Sequence, residues 1–253
     1  MELDPDTIGL TELIKLQNLL TEVAKRRFER QVALVFSDIL GATAYFARFG
    51  DQAGRALLQQ HIEVITEQLE AHQGRIVDTA GDGAFVVFPT VTQAARAMVG
   101  AQEKISEVNS QRPRDHQLEV RQGIHWGPAL TDGVLVTGDS VNLCARINST
   151  GKTTEIRLSR SAFLELEKDL RLRCEGLPPA KLKGIAEPVE EVLRVHPRGV
   201  KRDGGEHEED ESFHAGMASS FCSAGFSPGA ARGSLMMNSI PRPGKLFGVI
   251  VPP

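Results

Sequence analysis

Apolar residues in this chain fall into blocks whose spacing changes from one block to the next. Over residues 7–29, TIGLTELIKLQNLLTEVAKRRFE, the positions Leu13, Leu16, Leu20 and Val23 alternate at intervals of three and four, the period of one helix face. Two such heptads suit either a short coiled coil or a helix packed on its own domain. QVALVFSD (31–38) is apolar almost throughout and predicts a strand buried on both faces. GATAYFARFGDQAGRALLQQHIEVITEQLEAH (41–72) returns to helical spacing, with a break expected near Gly50. GRIVDTAGDGAFVVF (74–88) reads as a hairpin turned by Gly81 and Gly83. TVTQAARAMVGAQEKISEVN (90–109) reads as a helix capped by Thr90, and LEVRQGIHWG (118–127) as a strand.

Strand, helix, hairpin, helix, strand is the βαββαβ order of a ferredoxin-like sheet, an α+β architecture. C-terminal additions follow: a short hairpin over PALTDGVLV, a helix over DSVNLCARINST, a strand EIRLS, a short helix near 159–168, and strands around LRLRC, AKLKG and VEEVLRV. Three regions result: an N-terminal helix (1–29), one folded domain (30–197), and a tail (198–253). The tail is rich in Gly, Ser and Ala, carries an acidic run from Glu206 to Glu211, and is expected to be disordered. That run reads as solvated charge rather than as a metal site.

Composition narrows the function classes. A net charge of −4 on 253 residues gives no bulk attraction to nucleic acid or anionic lipid. One Trp and one Tyr leave no aromatic sheet face for RNA bases. No apolar run approaches the roughly 20 residues of a membrane span. The acidic start, MELDPDTIGL, lacks signal-peptide features. Cys144, Cys174 and Cys222 have no metal-like spacing, so a reduced, cytoplasmic setting is expected.

Two carboxylates interrupt the most hydrophobic segments. Asp38 closes the first strand, and Asp82 sits between the hairpin glycines. In a right-handed βαβ unit the two parallel strands end on the same sheet edge, which places both aspartates there. Close carboxylates repel, and a hard divalent cation with oxygen ligands is the natural counter-charge. Two such ions would suit phosphoryl transfer. Singly, each Asp also suits an ordinary cap or Asp-Gly turn. Downstream, Asn142 and Arg146 lie four apart on one helix. The first could bond a sugar oxygen and the second a phosphoryl oxygen. Lys183, in KLKGIAEPV, could hold a polyphosphate.

Together these segments resemble the class III nucleotidyl cyclases, the adenylate and guanylate cyclase family. FSDILGAT resembles its first metal-aspartate motif and GRIVDTAGDGAFVVF the hairpin carrying the second. TGDSVNLCARI resembles its Asn-x-x-x-Arg helix, and KLKGIAEPVEEVLRV its closing segment with a phosphate-binding Lys. The resemblance spans about residues 30–196. It implies two divalent cations, Mg²⁺ or Mn²⁺, held by Asp38, Asp82 and the backbone carbonyl of Ile39. It implies a nucleoside triphosphate substrate, ATP or GTP, bound where a head-to-tail homodimer brings Asn142, Arg146 and Lys183 of the partner to those aspartates. The product would be a 3′,5′-cyclic nucleotide for intracellular signalling.

Two positions depart from the family pattern. Where the resemblance places a base-reading Lys or Glu, this chain has Asp78. Where it places Asp, Thr or Cys, this chain has Leu135. A carboxylate accepts and cannot donate, so it suits guanine N1–H and N2–H₂ better than adenine N1, and Leu135 has no hydrogen-bonding side chain. The alternative role for Asp78 is a structural pairing with Arg75 or another nearby cation. The base stays open, and the alternative to an active enzyme is a catalytically silent cyclase-like regulatory domain that binds nucleotide or a partner.

Overall fold

A computed structural model describes residues 8–79, 81, 83–177 and 193–195. Asp82, Lys183, the expected strand AKLKG and the tail from residue 198 lie outside the described residues. The chain opens with α1 (Leu10–Phe28), which runs directly into β1 (Glu29–Ile39). The Glu12 carboxylate reaches back to the Gly9 N–H (3.3 Å), and Lys25, Arg26 and Arg27 stand in the last turn, where cations suit the helix dipole. No residue of α1 is buried. Of the two arrangements open to its heptads, burial in its own domain is not adopted.

Then follow α2 (Ala42–His72), β2 (Arg75–Asp78), β3 (Gly83–Phe88), α3 (Val91–Ser110), a 3₁₀ turn (Arg114–His116), β4 (Val120–Thr131), β5 (Val136–Thr137) and α4 (Asp139–Ser149). After these come β6 (Ile156–Leu158), α5 (Arg160–Leu164), α6 (Lys168–Arg171), β7 (Cys174–Gly176) and β8 (Leu193–Val195). The sheet order is β2-β3-β1-β4-β6-β8-β7, with β5 paired to β4. Strands β2, β3, β1 and β4 are mutually antiparallel neighbours, as a βαββαβ core requires, and β6 joins β4 in parallel.

The alternation of β1 sorts the two faces. Ala33, Val35 and Ser37 share a face with Phe88, Val86 and Ala84 of β3 and with Ile124 of β4. Helices α2 and α3 cover it, contributing Leu57, Val64, Ile65, Ala94, Met98 and Ile105 to the main core. Several buried polar groups here are paired: Ser37 Oγ lies 2.8 Å from His61 Nε2, and Gln102 donates to the Val120 carbonyl (3.2 Å). Such pairing offsets the cost of desolvation. The opposite face carries Leu34, Phe36 and Asp38 with Val87, Phe85 and Gly83 of β3. There a smaller cluster of Leu34, Phe85, Ala129, Val136 and Cys144 forms beneath α4.

Two local expectations are refined. The helix over 41–72 is broken at Gly50 (φ 81°, ψ 172°), a conformation that favours glycine. LRLRC does not start as a strand: Leu170 belongs to α6, and the strand begins only at Cys174. The two-residue alternation in that stretch loses to a four-residue one, since Ala162, Leu166 and Leu170 are the positions buried in the core.

Candidate active site

Asp38 stands at the end of β1 on the face shared with α4, and two cross-strand neighbours define its surroundings. On one side its register partner is Gly83, the residue directly after Asp82 in the chain. A Cβ on Gly83 would sit 3.0 Å from the Ser37 carbonyl oxygen, so glycine permits this close strand approach. On the other side the partner is Arg121 of β4. Its Nη2 and Nε donate to Asp38 Oδ2 at 2.6 and 3.2 Å, and its Nη1 donates to the Ser149 carbonyl at the end of α4 (3.0 Å). Both side chains are about four-fifths covered (21% and 23% exposed). The Asp38 carboxylate is thus largely withdrawn from water and paired with a cation, and its oxygens are of the type that a hard divalent ion takes. Among the described residues no group of three or more His, Cys, Asp or Glu side chains converges on a metal position; Asp82 is outside that set.

Helix α4 is set against β4 by two glycines. A Cβ on Gly123 would lie 2.7 Å from the Asn148 backbone, and one on Gly127 would lie 2.6 Å from Ser140 Oγ. Only bare backbone lets the helix this close. Ser140, Cys144, Ile147 and Asn148 are its buried residues. Asn142 is exposed and Arg146 half-buried, so both belong to the side turned from the sheet. Neither side chain makes an ion pair or hydrogen bond among the described residues. Cys144, between them, has its thiol pushed up to about 12 by burial and packs on the Leu34 carbonyl (3.2 Å); it is inert packing rather than a nucleophile.

The candidate base-reading positions come from two neighbouring turns. Asp78 is exposed at the end of β2, beyond a bulge at Val77, and has no ion pair among the described residues. Arg75 does not pair with it; its Nη1 donates instead to the Val134 carbonyl (3.0 Å). Leu135 is 62% exposed in the loop that closes β4 and β5. Sequence reasoning placed Asp38 at the end of the first strand, Asn142 and Arg146 on one helix, and Asp78 and Leu135 in the two hairpins, where they are found. It missed Arg121, because a cross-strand partner is visible only once the β1–β4 register is known.

The model of the adenylate and guanylate cyclase catalytic domain matches residues 23–193. Adenylate cyclase of Lachancea kluyveri is 29% identical over 195 residues, covering 65% of this chain and 10% of the relative. Guanylate cyclase 2D of Rattus norvegicus is 30% identical over 175 residues, covering 62% and 16%. The chain therefore spans only a small part of the length of these relatives. The adenylyl cyclase CyaB of P. aeruginosa shares the fold, at a TM-score of 0.59 with 21% identity, covering 70% of this chain and 98% of that one. The family match covers more than half of the chain and defines it as a class III nucleotidyl cyclase catalytic domain. This chain belongs to the adenylate and guanylate cyclase catalytic domain family.

Proposed function

We propose that the chain is a nucleotidyl cyclase that converts ATP or GTP to its 3′,5′-cyclic nucleotide and pyrophosphate, at sites shared by two head-to-tail copies. The observation that carries this reading is the placement of Asp38 opposite Gly83 on one sheet edge, with Asn142 and Arg146 turned away from the sheet of their own chain. A polar pair turned outward is free to act on another molecule, and a two-fold dimer supplies one.

In this reading Asp38, Asp82 and the Ile39 carbonyl hold two divalent cations. When bound, such ions ease deprotonation of the ribose 3′-hydroxyl and neutralise the triphosphate. Asn142 of the partner orients the ribose. The 3′-oxygen bonds to the α-phosphorus, the bond from that phosphorus to the bridging oxygen breaks, pyrophosphate leaves, and the hydroxyl proton passes to solvent. Arg146 stabilises the charge that grows on the α-phosphoryl oxygens, and Lys183 holds the polyphosphate. Arg121 pairs with Asp38 until that carboxylate takes its ions. Among the described residues no helix is long and apolar enough to cross a membrane.

The test is to incubate purified protein with ATP, GTP, CTP or UTP and Mn²⁺, and to measure cyclic product and pyrophosphate. Turnover is expected with a purine nucleotide, and Asp38→Ala should lower it at least ~100-fold while the fold persists. Nucleotide binding with no turnover would instead identify a silent regulatory domain.

A further inference from the structure

The loop Asp132–Leu135, between β4 and β5, is held by side chains at every backbone donor past Asp132. Thr131 Oγ1 accepts from the Gly133 N–H (3.1 Å). Asp132 Oδ1 accepts from both Val134 and Leu135 N–H, each at 2.9 Å. Gly133 takes φ +95°, a conformation that glycine adopts without strain. From outside the loop, Arg75 Nη1 grips the Val134 carbonyl (3.0 Å), and Arg75 lies three residues before Asp78 on β2. The bonds from Val134 and Leu135, with the Arg75 charge assisting, hold the Asp132 carboxyl below its usual range. The Asp132 bonds form a local Asx turn, to which Arg75 adds a tie from β2, and the turn presents two large apolar side chains, Val134 and Leu135, to solvent (77% and 62% exposed).

We infer that Asp132 and Arg75 are positioning residues for base selection, locking the turn so that Leu135 meets the base with its side chain and carbonyl while its N–H is withheld. This rests on the proposed reading in which Leu135 and Asp78 face the base. Asp132 consumes the backbone donor that Leu135 would otherwise offer, and Asp78 is a carboxylate without a donor. The pair therefore presents acceptors alone. Guanine meets acceptors with its N1–H and N2–H₂ donors. Adenine brings the acceptor N1, which finds no partner, and a site selects strongly when a buried polar group is left unpaired. Arg75 ties the turn of Leu135 to the strand of Asp78, so the two reading positions keep one spacing. Base choice here is set partly by residues that never touch the base.

The experiment compares kcat/KM for GTP and ATP in wild type, Asp132→Ala, Asp132→Asn, Arg75→Ala and Leu135→Thr. Competition of GTP and ATP against a bound fluorescent nucleotide gives the corresponding ratio of binding affinities where turnover is slow. Thermal melts establish that each variant is folded. Asp132→Ala frees the Leu135 N–H and is expected to lower the GTP-to-ATP ratio about three- to tenfold, the scale of one net hydrogen bond. Arg75→Ala should move it the same way. Asp132→Asn keeps an acceptor oxygen and should stay within about twofold of wild type. If Leu135→Thr shifts the ratio while Asp132→Ala leaves it unchanged, the positioning role is wrong and the placement of Leu135 stands. If neither shifts it, Leu135 does not face the base and the inference falls with that placement.

Discussion

His125 illustrates how a single side chain couples this fold to pH. It is buried on β4 (7% exposed), with Nδ1 2.9 Å from Ser159 Oγ, and burial pushes its pKa down to about 4 from 6.5. In the unfolded chain it protonates near the ordinary value, so between pH 6.5 and 4 the unfolded state binds more protons. Its contribution to stability is therefore complete above pH 6.5 and declines as pH falls toward 4, by at most on the order of 3 kcal/mol. Melting temperatures at pH 7.5 and 5 should show this loss in wild type and a smaller one in His125→Gln; parallel losses would assign the effect to other groups. Asp38 was legible from sequence because a carboxylate ending an apolar strand is conspicuous. Its partner Arg121 was not, since that contact depends on a cross-strand register that composition does not encode; the same holds for the tie from Arg75 to the Val134 carbonyl.

At the scale of elements, the site depends on how closely α4 lies on the sheet. A Cβ at position 123 would come within 2.7 Å of the Asn148 N and Cα, and these are backbone atoms with no rotamer to adjust. Gly123→Ala must therefore displace the helix that carries Asn142 and Arg146. The expected result is a stability loss of about 1–3 kcal/mol by denaturant titration, with kcat reduced more than KM if Arg146 acts on the transition state as proposed. A variant with unchanged melting and turnover would show that α4 tolerates the shift. Most elements were visible in the periodicity, including the Thr90 cap, whose side chain accepts from the Gln93 N–H (3.2 Å), and the break at Gly50. LRLRC was misread because two-residue alternation and helical spacing coexist there. The neighbouring buried positions Ala162 and Leu166 decided the outcome, and these tertiary contacts lie outside a local window.

For the whole molecule, the decisive question is whether one chain or two build the reaction centre. Only the face of β1, β3 and β4 under α2 and α3 forms the large core. On the other face α4 covers a small cluster, and Val32, Phe36, Val77 and Val87 remain partly buried around it. Apolar positions left at an incomplete cover are suited to a second copy, and a two-fold axis there would turn each α4 toward the aspartate edge of the other chain. Complementation tests this arrangement. In the proposed mechanism Asp38→Ala removes a metal ligand and Arg146→Ala the transition-state cation, so each variant alone should be inactive. In a mixed dimer one of the two sites pairs an intact Asp38 half with an intact Arg146 half, while the other carries both lesions. Random exchange of equal amounts makes half of the dimers mixed, so about a quarter of wild-type activity should return. Recovery that tracks the fraction of mixed dimers would establish shared sites. Absence of recovery, with subunit exchange demonstrated by differently tagged chains, would place Asn142 and Arg146 at the Asp38 site of their own chain.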